Sequence, residues 1–186
     1  MRRSARGRAL TRSGGVLALF AIVGCLAAAL ACTSAPGAIS TGQPTNERPR
    51  TTASDRIYHP DDLRNAGVKI ARSYDVSELS GATAALNGFL NRKEYEARFY
   101  ADFPRASGTG AAAAALVTGK DAAVTGKVPW EEGATDRRKC VGGINANCVA
   151  KYGDFIVYGN LVLLCEGRDS ATSLDTCFEL ISLLPR

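Results

Sequence analysis

Between residues 94 and 103 apolar and polar side chains alternate strictly: Tyr95, Ala97, Phe99, Ala101 and Phe103 fall on one side, Glu94, Glu96, Arg98, Tyr100 and Asp102 on the other. A period of two is that of a half-buried strand, one face in a core and the other in water. Residues 154–158 and 161–165 are nearly continuous apolar runs, Phe155-Ile156-Val157 and Leu161-Val162-Leu163-Leu164, on either side of Gly159-Asn160. This is the signature of a two-residue hairpin, and arms of that kind are covered on both faces, which places the hairpin centrally in a sheet.

Helical spacing is clearest at 171–184, where Leu174, Cys177, Phe178, Ile181 and Leu184 share one side, Asp169 or Ser170 can cap the start and Pro185 stops the end. A second helix is predicted over 77–91, with Leu79, Ala82, Leu86, Phe89 and Leu90 on one side, after a strand over 68–74. The alanine run 111–115 predicts a third within 109–118, although Gly108 and Gly110 weaken its start. The order strand, helix, strand, helix, hairpin, helix predicts an α+β domain. It is expected to be a two-layer sandwich, a largely antiparallel sheet with a central hairpin and helices packed on one face, with a ferredoxin-like arrangement as one candidate.

Upstream the pattern changes. Arg2, Arg3, Arg6, Arg8 and Arg12 precede an uncharged apolar run over 16–31, the layout of a signal segment. The run ends in Ala29-Leu30-Ala31-Cys32, which resembles the lipobox of bacterial lipoproteins, where small residues precede a cysteine that is acylated and becomes residue one. The family prefers Leu at the first of the four places, and here it stands second. Ile22-Val23-Gly24-Cys25 matches those letters better, but cleavage there leaves the apolar residues 26–30 after the anchor, whereas Cys32 opens directly onto a Pro/Thr/Ser-rich stretch. The resemblance implies a lipid anchor at Cys32, with Cys25 as second choice, and a membrane as partner. An uncleaved spanning helix is the other reading of the same run; both put the remainder outside the cytoplasm. The expected organisation is a signal segment over 1–31, a flexible tether over 32–56 and a folded domain over 57–186, about 130 residues, an ordinary domain size.

Charge adds an exclusion. Of 23 Lys and Arg residues, the five in the signal account for the whole excess over 18 Asp and Glu, so the chain from Cys32 onward is formally neutral. No basic stripe with interleaved aromatics remains, and nucleic acid is not an expected partner.

Four of the six cysteines, Cys140, Cys148, Cys165 and Cys177, lie in the domain. In an exported chain they are expected as disulfides, Cys140 with Cys148 and Cys165 with Cys177, because Cys165 ends a predicted strand and Cys177 faces inward on the helix packed against it. Neither pair has the short ligand spacing of a zinc site, and no Cys-x-x-Cys redox motif is present. His59 is the single histidine, which removes His-based triads and two-histidine metal sites. Val117-Thr118-Gly119-Lys120 and Val124-Thr125-Gly126-Lys127 lack the earlier glycine and the following Ser or Thr of a phosphate loop. No cofactor is implied.

Two function classes remain. The first is a noncatalytic binding domain at the cell surface, for a protein, a cell-wall component or a small molecule, with Trp130, Asn145, Asn147 and Tyr152 as candidate surface. There Trp130 either contributes to recognition or plugs the open end of the sheet, and the mixed charges over 131–139 read as a solvated face. The second is an extracytoplasmic hydrolase working through Glu94, Glu96 and Asp102, the one ordered acidic cluster.

Overall fold

The computed structural model describes residues 48–123, 128–143 and 147–186. The expected signal segment with Cys25, the first part of the expected tether with Cys32, and Asn145 lie outside the described residues. The folded unit runs over Pro44–Arg186. Its strands β1 (Thr51–Thr52), β2 (Lys69–Tyr74), β3 (Ala82–Leu90), β4 (Lys93–Tyr100), β7 (Tyr152–Tyr158) and β8 (Leu161–Glu166) form one sheet in the order β1-β7-β8-β4-β3-β2. Every pairing is antiparallel except the short β1 with β7. The remaining strands, β5 (Arg138–Val141) and β6 (Asn147–Ala150), make a separate two-stranded ribbon.

The fold is α+β, and the apolar hairpin of β7 and β8 sits inside the sheet as its composition requires. Gly159 adopts φ 57° at the first central turn position, which a glycine takes without cost. Asn160, 1 % exposed, holds the turn to its surroundings. Its Oδ1 accepts from the Tyr58 N–H at 2.7 Å, and its Nδ2 donates to the carbonyls of Tyr58 and Tyr100 at 3.0 and 2.8 Å. Sequential hairpins run from β2 to β4, in place of the helical crossovers that a ferredoxin-like order needs, so that candidate is set aside.

The predicted helix over 77–91 is instead a turn followed by β3. The misleading spacing has a physical source. β3 lies inside the sheet and is buried from Ala85 to Gly88, so its apolar positions lose the strict alternation of a half-covered strand. Gly88 was the contrary sign, since a Cβ there would stand 2.7 Å from Val68 and 2.9 Å from the Lys69 carbonyl of the neighbouring strand. Asn91 and Arg92, with φ 51° and 63°, turn the chain directly into β4.

Helices cover both faces of the sheet rather than one. On the first, α4 (Ser170–Leu183) is capped by Asp169, whose carboxylate accepts from the Thr172 N–H at 2.8 Å. That hydrogen bond holds the Asp169 carboxyl below its ordinary value. Cys177, Leu180 and Leu184 of this region pack on Tyr95, Ala97, Phe99 and Leu163, and the Cys165–Cys177 disulfide ties β8 to α4 in the core. The second face is roofed by one continuous helical segment made of α2 (Phe103–Arg105), a π turn (Ala106–Gly110) and α3 (Ala111–Ala115). There Ala106, Ala114 and Val117 meet Tyr100, Val157, Val162 and Leu164. Gly110 is required in this roof, because a Cβ would lie 2.7 Å from the Tyr100 ring.

The remaining helix, α1 (Pro60–Asn65), precedes β2 and buries Leu63. The folded unit begins before residue 57. Arg48 pairs with Asp175 at 2.8 Å and lies over the Phe178 ring, Arg50 pairs with Asp154 at 2.7 Å, and β1 closes the β7 edge of the sheet.

Candidate functional site

Alternation along β4 sends Tyr95, Ala97 and Phe99 under α4 and Glu96, Arg98 and Tyr100 to the opposite face. The sequence pattern put that second row in water. Instead Glu96, Arg98 and Tyr100 are 0 %, 1 % and 1 % exposed, because the roof helices and the segment after residue 128 close over them. A buried carboxylate is tolerated only when paired, and Glu96 is paired twice. Arg98 Nε donates to its Oε1 at 2.7 Å and Arg137 Nε to its Oε2 at 2.9 Å. Arg137, expected on a solvated charged face, is 3 % exposed.

Trp130 seals this cluster from above. It is 4 % exposed, so it presents no free recognition surface. Its indole N–H donates to the Asp75 carbonyl at 2.9 Å, its ring meets Tyr74 edge-on at 5.7 Å, and the guanidiniums of Arg98 and Arg137 stand 5.0 and 4.6 Å from its centre. Two cations against one indole face a ring whose quadrupole attracts them. Tyr74 donates to Asp136 Oδ2 at 2.9 Å, and Arg72 donates to the same oxygen at 2.8 Å. The Arg137 guanidinium also donates to the Glu132 carbonyl, which ties the Trp130 segment to the cluster.

Tyr152 is fully buried in the same layer. Asn87 Nδ2 donates to its hydroxyl at 3.2 Å and to Glu94 Oε1 at 2.7 Å, while Lys151 Nζ grips both Glu94 oxygens at 2.7 and 2.8 Å. Burial, reinforced by the charges of Glu96 and Glu94, pushes the Tyr152 hydroxyl well above its ordinary value. Trp130 and Tyr152 therefore both wall the buried polar layer, whereas Asn147 is exposed on the ribbon. The acids of the hydrolase reading do not converge as free carboxylates. Glu94 is held by Lys151, Glu96 by two arginines, and Asp102 caps α2 and pairs with Arg105.

Between the roof and Trp130 lies a cleft of about 320 Å³, near the lower end of small-molecule sites. Its wall comes from Leu79, Ala113, Leu116, Val117, Val128 and Pro129, and the buried Arg98 and Arg137 border it while the surface it presents stays almost wholly apolar. Among the described residues, Arg98 Nη2 and the Tyr100 hydroxyl are buried without a hydrogen-bond partner. The π turn supplies Thr109 to the rim, and such turns recur at functional sites.

Both expected disulfides form, Cys140–Cys148 across the ribbon and Cys165–Cys177 in the core. The ribbon exposes Val141 and Val149 on the border of a wider groove of about 1130 Å³ with mixed charge. Among the described residues no group of three His, Cys, Asp or Glu side chains is placed to hold a metal ion, and no helix is long and apolar enough to cross a membrane.

Arg98 and Arg137 are the site residues that sequence reasoning passed over. One signal was present: Tyr100, an aromatic residue in the row assigned to water. No curated protein and no solved structure matches the chain. A family model does match over residues 60–186, the whole of the sheet beyond β1 with all its helices, and the chain belongs to that family of unknown function, DUF6810.

Proposed function

We propose that this chain is an exported lipoprotein, anchored to the cell membrane through Cys32, whose folded domain is a noncatalytic binding module. The observation that carries the binding reading is the cleft beneath Trp130, whose presented surface is almost wholly apolar. Ion pairing of Glu94 and Glu96 supports a noncatalytic role over the acidic-hydrolase alternative, since a general acid or base needs a carboxyl free to exchange its proton with substrate. Two disulfides are compatible with an extracytoplasmic compartment. The basic, apolar and small-residue pattern ending at Cys32 supports the anchor.

Metabolic labelling with an alkyne fatty acid in a bacterial host tests the anchor. The full chain should take up label and lose it in Cys32→Ser. Retention of label in Cys32→Ser with loss in Cys25→Ser would move the anchor to Cys25. An unlabelled wild-type chain would overturn lipid anchoring and leave the uncleaved helix.

A further inference from the structure

We propose that the cleft beneath Trp130 binds a small, uncharged apolar molecule, held along Leu79, Ala113, Leu116, Val128 and Pro129 and against the indole. The proposal deepens the reading of this domain as a binding module and rests on it.

The polar groups that border the cleft are spent inside the protein. Arg98 Nε and Arg137 Nε both donate to Glu96. The Arg137 guanidinium also donates to the Glu132 carbonyl, and the indole N–H of Trp130 donates to the Asp75 carbonyl. Arg98 and Arg137 are 1 % and 3 % exposed, and Arg98 Nη2, which has no acceptor among the described residues, is sealed away with the rest of its side chain. A carboxylate entering the cleft would give up its water without reaching a guanidinium nitrogen, and an ammonium would do so beside two cations. An apolar body loses no hydrogen bond there and gains by covering Leu116, which stands 48 % exposed. Two arginines border the cleft, yet its chemistry excludes ions.

The walls converge from three parts of the chain. The turn before β3 gives Leu79, α3 and the residue after it give Ala113 and Leu116, and the segment 128–130 gives Val128, Pro129 and Trp130. This is the concave form of a ligand site, and a volume of about 320 Å³ suits a molecule on the order of a dozen heavy atoms, not a long acyl chain. The surroundings argue against a protein partner. Among the described residues the exposed large apolar side chains are Ile57, Phe89, Leu116, Val141, Val149 and Leu183, and of these Leu116 alone borders the cleft. Its rim carries the exposed Glu78, Ser80 and Thr109. A stable protein interface needs roughly 800 Å² on each side, with an apolar centre, and this opening has no apolar apron of that extent.

Trp130 is the only tryptophan in the chain and lines the cleft, so its emission reports on occupancy there. The full chain in lipid nanodiscs would be equilibrated with butylbenzene through the vapour, which fixes the free concentration of the hydrocarbon whatever the bilayer absorbs. It would be titrated separately with 4-phenylbutyrate and with 4-phenylbutylamine. A saturable emission change is expected with butylbenzene, and binding at least about ten-fold weaker with each ion. Ala112→Phe should abolish the butylbenzene response, because Ala112 is an exposed roof residue on the cleft wall and a phenyl group there occupies the cleft while leaving the ion-paired side chains in place. If that variant does not fold, Leu116→Ser decides: it strips apolar wall from a half-exposed position and should weaken the response several-fold. A butylbenzene response unchanged in the folded variant would place binding elsewhere and overturn the proposal. An ion that binds as tightly as the hydrocarbon, and loses its binding in the same variant, would overturn the uncharged class while leaving the cleft as the ligand site. No saturable response to any of the three would overturn both the ligand class and the cleft's role in the binding reading.

Discussion

The two faces of the central sheet are buried to the same depth by different chemistry. Under α4 the contact is apolar: Tyr95, Ala97, Phe99, Leu163 and Leu180 pack around a disulfide. Under the roof, the same two central strands contribute Glu96, Arg98 and Tyr100 beside Val162 and Leu164. An apolar face stabilises simply by leaving water. A buried ion cluster does so only while complete, and replacing it with well-packed apolar side chains is often neutral or better. The first face explains why the domain folds, and the second carries chemistry that folding alone does not require.

The sharpest way to break this comparison is to remove the single anion. Glu96→Gln leaves Arg98 and Arg137 facing each other beneath Trp130, and should destabilise the domain by about 3 to 5 kcal/mol, read from urea unfolding. A loss below about 1 kcal/mol would mean that water reaches the guanidiniums and that the cluster is not a buried charge.

On the apolar face, the matching change is the double variant Cys165→Ala with Cys177→Ala. The bridge closes a separation of 12 residues, for which chain entropy gives about 3 kcal/mol. Reduction of a Cys140→Ala, Cys148→Ala background, in which Cys165–Cys177 is the bridge left to open, should reproduce the same loss. If the double variant melts with the wild type, packing between α4 and β8 suffices without the bond.

These two sites also mark the limit of what was legible in the sequence. The disulfide was readable because both partners sit on local patterns, a strand end and the inward side of a capped helix, 12 residues apart. The β7–β8 hairpin was readable for the same reason, its turn and both arms being contiguous. Glu96 and Arg137 meet across 41 residues, and only tertiary packing decides that the second row of β4 is covered. β3 failed for a related cause, because a strand inside a covered sheet loses the alternation that separates strand from helix.

A replacement variant sharpens the contrast. Glu96→Leu, Arg98→Met and Arg137→Leu together should leave stability unchanged or raise it by about 1 to 4 kcal/mol, read from urea unfolding. A strongly destabilised triple variant would show instead that the cluster is the structural cement of this face.

Titration separates the faces more gently. Burial raises Tyr74 and Tyr152 on the polar face, with the nearby carboxylate of Glu96 adding to it, and raises Tyr95 on the apolar face. In the unfolded chain these hydroxyls lose their protons near 10.0, whereas the folded chain keeps them. Stability is therefore full below that pH and falls as pH rises through it, since the unfolded state then binds fewer protons than the folded one. Thermal melts from pH 8 to 11 should show the decline, and Tyr152→Phe should flatten it. A pH-independent melting temperature over that range would mean that the tyrosines ionise freely in the fold.

The smallest effect belongs to the ribbon, which lies outside both faces. Val141 and Val149 are 76 % and 58 % exposed and stand on the same side of the two strands, since Lys139 pairs with Val149 and Val141 with Asn147. Neither side chain is removed from water to the degree that would make it a folding element, so Val141→Ser with Val149→Ser should change stability by no more than about 0.5 kcal/mol per site. The Cys140–Cys148 bridge, on the other side of the ribbon, holds its strands together independently of those valines. A larger loss would place the two valines in a contact beyond this chain's own core.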